Sequence, residues 1–244
     1  MIDSARTALA FMTRLRVGRD GPLSADALSH AAVWFPATGL IVGAVMAATH
    51  LLATEVTTST AATVLALGAA ILITGGLHED GLADTADALG AHITRERRLE
   101  ILRDPRVGTY GALALILAVS FSIATLGPLG QNDFTRTVLL AHVLARWSTL
   151  PQALVLPAAR PDGSGSLVRP GGWLTTAGTL MALAVCVTIG GLRPGAATFA
   201  IAAAVTAAGG CAAHRALGGV TGDTLGAVNK LVELSTYATL AAMT

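Results

Sequence analysis

TAATVLALGAAILITGGLHEDGLADTADALG, Thr60 to Gly90, changes character at its middle. From Thr60 to Thr74 it holds no charge and consists largely of Ala, Leu, Ile, Val and Thr. After Gly75-Gly76 come four acidic residues, Glu79, Asp80, Asp84 and Asp87, within nine positions. A helix this apolar is read as a membrane span, and its neighbour then sets carboxylates at the end of that span. Whether the whole chain is a membrane protein decides between this arrangement and an ordinary acidic surface helix.

Composition supports the membrane. The 244 residues are 53% hydrophobic and 13% charged, against about a quarter charged in soluble domains. Mean hydropathy is +0.64. Small residues, including 27 Gly, let helices approach closely where apolar burial cannot drive association. Cys186 and Cys211 lie in apolar runs without disulfide or zinc spacing, and read as small core residues.

At roughly 20 apolar residues per crossing, the expectation is about seven transmembrane helices, near 32–52, 60–77, 110–129, 135–156, 174–192, 195–214 and 225–243. The expected fold is all-α, a polytopic integral membrane bundle forming a single domain over 1–244. IDSARTALAFMTRLRVGR interleaves Arg with apolar residues, as an amphipathic helix at the membrane surface would, and lacks the apolar core of a signal peptide.

Arginines orient the bundle. Arg6, Arg14, Arg16 and Arg19 precede the first span, and Arg95, Arg97, Arg98, Arg103 and Arg106 follow the second. Arg160 and Arg169 lie between the fourth and fifth, and Arg215 between the sixth and seventh, whereas the opposite loops carry Arg136 and Arg193. Positive charge inside places the N-terminus in the cytoplasm and the C-terminus outside. The loop His78–Gly108 and GGVTGDTLGA, Gly218 to Ala227, then share the cytoplasmic face.

On a helix Asp80, Asp84 and Asp87 fall within an arc of about 60°. Carboxylates stacked on one face repel, so a cation is expected among them, either Mg²⁺ or Mn²⁺ or nearby arginines. A solvated face paired with Arg95, Arg97 and Arg98 is the competing explanation. His78 is a candidate base or phosphate ligand, while Glu79 points to another side of the helix.

In TGDTLGA, Gly222 and Thr224 open a helix whose free N–H groups favour an anion. Asp223 by itself reads as an N-cap. Lys230 and Glu233 lie deeper in the same helix, where ionisable groups are functional candidates. Arg103 and Arg106 flank a turn at Asp104-Pro105, and their forks match phosphate oxygens, although positive-inside anchoring also accounts for them.

TGGLHEDGLADTADAL, RLEILRDPRVGTYGALALI and GGVTGDTLGA followed by Glu233 together resemble the cobalamin synthase family, the adenosylcobinamide-GDP ribazoletransferases or cobalamin-5′-phosphate synthases. FMTRLRV is a weaker echo, with Arg16 where the family tends to have Pro. Glu79 also departs from the hydrophobic residue common in the family. The resemblance runs along nearly the whole chain. It implies a Mg²⁺-dependent transferase of the cell inner membrane that joins adenosylcobinamide-GDP to α-ribazole, or its 5′-phosphate, and releases GMP.

Carried over by position, Asp80, Asp84, Asp87 and Asp223 would hold the metal and the chemistry, with His78 beside them. Arg103, Arg106, Gly222, Thr224, Lys230 and Glu233 are the substrate-binding candidates. Expected partners are the two substrates and the lipid bilayer, with a homo-oligomer as a further option and no nucleic acid. The alternative is a cation-coupled membrane transporter using carboxylate relays, which predicts acidic residues at mid-membrane depth on several spans.

Overall fold

The computed structural model describes residues 1–17, 24–160 and 168–244. Among these, regular structure is helical, apart from an isolated bridge between Ala158 and Val220. Helix α1 spans Ile2–Met12 and α2 Ala25–Ala31, which continues through a 3₁₀ turn, Ala32–Trp34, into α3, Phe35–Thr54. Then come α4 Ser59–Thr74, α5 Leu77–Gly90, α6 Arg95–Ile101, α7 Thr109–Leu126, α8 Gln131–Trp147 and α9 Thr149–Val155. The last three are α10 Gly172–Gly190, α11 Leu192–Leu217 and α12 Gly222–Ala241.

Five of these segments are long and apolar enough to cross a membrane: Ala25–Thr54, Thr109–Leu126, Gln131–Val155, Gly172–Gly190 and Leu192–Leu217. The protein is therefore an all-α, multi-pass bundle, but the expected seven spans need correcting. The pair α4 and α5 qualifies only together, and its 89° bend makes it a broken span or a re-entrant segment rather than a straight crossing. Alone, the 16 residues of α4 reach about 24 Å, short of the roughly 30 Å apolar core of a bilayer.

The expected seventh span exists as a helix but is not apolar enough. Thr224 to Lys230 are buried without interruption in α12, so two turns are covered by protein on every side. A helix that meets protein rather than lipid can carry Asn229, Lys230 and Glu233, provided each finds a partner.

Close backbone contacts between helices rest on small residues. A Cβ on Gly39 would strike the carbonyl of His142, and one on Gly43 would lie 2.9 Å from the Leu139 Cα, so α3 and α8 pack at glycine distance. Helix α1 packs on α2 and α3, burying Ala8 and Met12 and stacking Phe11 on Phe35 with ring centroids 5.9 Å apart. Its exposed side carries Ile2 and Arg6, in keeping with an amphipathic helix. Arg19 lies outside the described residues. Cys186 is a core residue as expected, whereas Cys211 is exposed on α11.

Candidate active site

The site begins with a bend. Gly75 and Gly76 both have left-handed backbones, φ 71° and 73°, a conformation that costs any residue with a Cβ. Gly75 closes α4 and Gly76 opens α5. Two such residues in succession turn the chain by 89°, so α5 leaves the direction of α4 and runs against α12 and α7. The acidic helix thus meets the last helix directly.

At its closest point the contact between α5 and α12 is backbone against backbone. A Cβ on Gly81 would lie 2.7 Å from the Asp223 carbonyl oxygen and 3.1 Å from the Gly226 Cα. One residue either side, this approach carries Asp80 and the first turn of α12 to opposite walls of one cleft. The cleft, about 110 Å³, is lined by His78, Asp80, Gly222, Asp223, Asn229 and, from α1, Phe11, among others.

The aspartates are not equivalent. Asp80 is exposed, and Asp84 and Asp223 are half-buried. Burial first, then repulsion from Asp80, Asp223 and Asp87, pushes the Asp84 carboxyl up to about 6 from its usual 3.8. Asp223 is also raised, chiefly by burial, against the opposing pull of Arg160. Its Oδ2 accepts from Thr221 Oγ1 at 3.2 Å and stands 3.5 Å from Arg160 Nη2.

The N-cap of α12 is Thr221, not Asp223. Thr221 Oγ1 accepts from the Thr224 amide at 3.2 Å, and Thr224 Oγ1 accepts from the Thr221 amide at 2.9 Å, a reciprocal capping box. Thr224 is thereby committed and buried, while Asp223 is released from capping and turned to the cleft.

Asp87 is engaged at both oxygens. Its carboxylate accepts the Gly108 amide at 2.7 Å and the Gly111 amide at 2.9 Å. It therefore caps the first turn of α7 from another helix, and a Cβ on either glycine would collide with it. This tie holds the segment bearing Arg103 and Arg106 beside α5. Arg103 is exposed. Arg106 closes on Asp104, with Nη2 2.6 Å from Oδ2, a bond that lowers Asp104 to about 2.

Lys230 and Glu233 do not reach the cleft. Lys230 Nζ sits 2.6 Å from Glu233 Oε1 and 2.8 Å from Glu79 Oε1, all buried or nearly so. Tyr237 donates its hydroxyl to Glu233 at 3.1 Å. His142 Nδ1 stands 3.0 Å from Arg146 Nη1 and 3.3 Å from Glu233 Oε2. Nδ1 thus lies between a guanidinium, which only donates, and a carboxylate, which only accepts, while Nε2 faces Met46 Sδ at 3.4 Å. Two carboxylates against one Lys and one Arg leave this network balanced.

Sequence reasoning set Glu79 aside and passed over His142, Arg146, Asn229 and Arg160. Intramembrane charge was a usable signal for Arg146, and the polar run Asn229-Lys230 for the buried centre. Nothing local pointed to Arg160. Asn229 Nδ2 donates to the Leu225 carbonyl and to Thr149 Oγ1, each at 2.9 Å, which fixes its amide so that Oδ1 is the atom left without a partner.

Among the described residues, no group of three or more His, Cys, Asp or Glu stands close enough to hold a metal ion. Magnesium keeps several waters and binds through one or two carboxylates together with substrate phosphates. Asp80 and Asp84 are hard oxygen donors, Asp223 lines the cleft with Asp80, and burial followed by repulsion from the other aspartates raises Asp84. The donor set suits such an ion.

Fold and cleft define a polytopic helical membrane protein with an acidic site where two helices meet through glycine. Comparison with known proteins then narrows the class. The family model described as cobalamin-5-phosphate synthase matches residues 4–241, and the chain belongs to that family. It is 39% identical to the adenosylcobinamide-GDP ribazoletransferase of Bradyrhizobium diazoefficiens, over 96% of this chain and 91% of that one. It is 38% identical to the enzyme of the same name from Roseiflexus sp. (strain RS-1), over 96% and 87%. The Chlorobaculum tepidum protein of that name is 34% identical over 97% and 94%. No solved structure matches.

Proposed function

We propose that the protein is an adenosylcobinamide-GDP ribazoletransferase acting at the cytoplasmic face of the cell membrane. It joins adenosylcobinamide-GDP to α-ribazole, or its 5′-phosphate, and GMP leaves. Family membership over nearly the whole chain names the reaction. The observation that carries the site is the glycine contact that brings Asp80 and Asp223 to one cleft.

In the reaction a ribose hydroxyl of the ribazole forms a bond to the phosphorus bearing the cobinamide. The bond from that phosphorus to the GMP oxygen breaks. Mg²⁺ held by Asp80 and Asp84, with Asp223 opposite, would supply charge neutralisation on the diphosphate. His78, buried in the cleft wall, would take the hydroxyl proton, with a carboxylate as the other candidate. Arg160 beside Asp223 adds positive charge at the rim. Asp87 serves by holding the α7 turn in place.

Lys230, Glu233 and Thr224, considered above for substrate, act instead as framework. A cation-coupled transporter gains no support. Glu79 and Glu233 are closed into a balanced network, and the relatives compared are all named transferases.

The test is GMP release by the full-length protein in liposomes, given both organic substrates with and without Mg²⁺. GMP formed only when both substrates and Mg²⁺ are present is the expected result. Failure to form GMP from a correctly folded protein, with cation flux in its place, would overturn the assignment.

A further inference from the structure

A second cavity lies on the other side of Asp80. It measures about 480 Å³ and opens between α1, the α4–α5 bend and α7. Phe11, Leu77 and Asp80 line both it and the smaller cleft. Its other walls include Val107 and Leu115, the Gly75-Gly76 bend and Arg14. Such a volume, mostly apolar with a few polar groups, is in the usual range for a small-molecule site. A transferase with two organic substrates needs two cavities that meet at the reacting atoms, and here the shared wall is an aspartate of the proposed site.

Glu79 and Asp80 line this cavity too, and Arg14 is its basic group, which the reaction described above leaves unused. Its position is built rather than incidental. The Arg14 amide donates to the Ile73 carbonyl at 2.7 Å, pinning the chain after α1 to the end of α4. Its side chain then lies over Gly75, where a Cβ would strike Nε. Gly75 is thus required both by its backbone and by the arginine stacked on it. Yet among the described residues the guanidinium makes no hydrogen bond or ion pair. The negative end of α4 and positive-inside orientation call for a charge there, and neither needs a cavity or a fork.

We propose that Arg14 is a phosphate-binding residue of this second cavity, which holds a phosphorylated substrate against Asp80. The inference rests on the function proposed above. The shared chemistry is a phosphate with two free oxygens, which an Arg fork grips bidentately. It belongs either to the 5′-monoester of α-ribazole 5′-phosphate or to the diphosphate of the GDP-activated corrinoid.

The experiment compares wild type, Arg14→Met and Arg14→Lys as full-length protein in liposomes, with KM measured for α-ribazole, α-ribazole 5′-phosphate and adenosylcobinamide-GDP. Loss of a charge-assisted pair should raise KM in Arg14→Met by ~10-fold or more. If the monoester is the ligand, only α-ribazole 5′-phosphate is affected and unphosphorylated α-ribazole is unchanged. If the diphosphate is the ligand, only the GDP substrate is affected. Arg14→Lys, which keeps charge but not the fork, should fall between. Val107→Trp, an exposed change that fills the cavity, should raise the same KM as Arg14→Met.

A readout without turnover separates this inference from the reaction itself. Inorganic pyrophosphate should raise the thermal midpoint of the wild type, and Arg14→Met should lose that protection. Equal protection of both proteins would overturn the proposal. So would KM values for all three substrates within twofold of wild type, or a uniform rise in all three. A wild type that releases no GMP but is protected by pyrophosphate through Arg14 would sink the reaction and leave the phosphate site standing.

Discussion

Helices α5 and α12 carry carboxylates in two regions that obey opposite rules. Asp80 and Asp223 line the cleft with Arg160 beside Asp223, and Asp84 is near enough to be pushed up by burial and by the other aspartates. In the core, Glu79 and Glu233 hold Lys230 at 2.8 and 2.6 Å, with His142, Arg146 and Tyr237 completing the set. Glu79 and Asp80 are adjacent in sequence, yet one belongs to each region. Folding selects against uncompensated buried charge. A cluster left uncompensated is therefore awaiting a ligand, and a compensated one is framework.

The largest effect that could break this contrast is on activity. Asp84→Asn keeps the size of the side chain and removes its charge, and GMP release should fall by ~10³-fold or more. Stability should move the other way. Because the folded carboxyl is raised from 3.8 to about 6, the folded state holds its proton more tightly than the unfolded one. Metal-free wild type should accordingly lose stability as pH rises through that window. Asp84→Asn should flatten this slope and melt no lower than wild type at neutral pH. Melting curves from pH 4 to 8 without metal check it, and a steep loss of stability in the variant would return Asp84 to the framework.

Next in size is the core. Lys230→Met leaves two buried carboxylates without their cation and should cost about 3–5 kcal/mol. Adding Glu79→Gln removes one of the stranded charges, and the double variant should melt above Lys230→Met alone. Chemical denaturation in detergent micelles measures both. A double variant no better than the single would mean that Glu79 and Lys230 do not act as a pair.

The smallest effect is expected at Arg106, an exposed residue whose bond to Asp104 is screened by water. Arg106→Ala should leave the melting temperature unchanged. If KM for the GDP substrate nevertheless rises, Arg106 leaves Asp104 for a phosphate when substrate binds. If KM is also unchanged, the residue serves orientation only.

By itself the sequence determined the class, the crossings made by lipid-facing helices, and the two acidic motifs. These depend on local chemistry: apolar residues must meet lipid, and three aspartates at helical spacing must share a face. The glycine pair at Gly75-Gly76 marked the break, though not its angle. Tertiary structure alone decided which charges meet. Periodicity gives each helix its faces but not its neighbours, so the clasp of Glu79 on Lys230 and of Asp87 on the α7 amides was invisible. The same reason made α12 read as a seventh apolar span, which it is not. A helix wrapped in protein answers to its partners' hydrogen bonds, and those partners lie far off in the chain, as Glu79 does from Lys230 and Met46 from Tyr237.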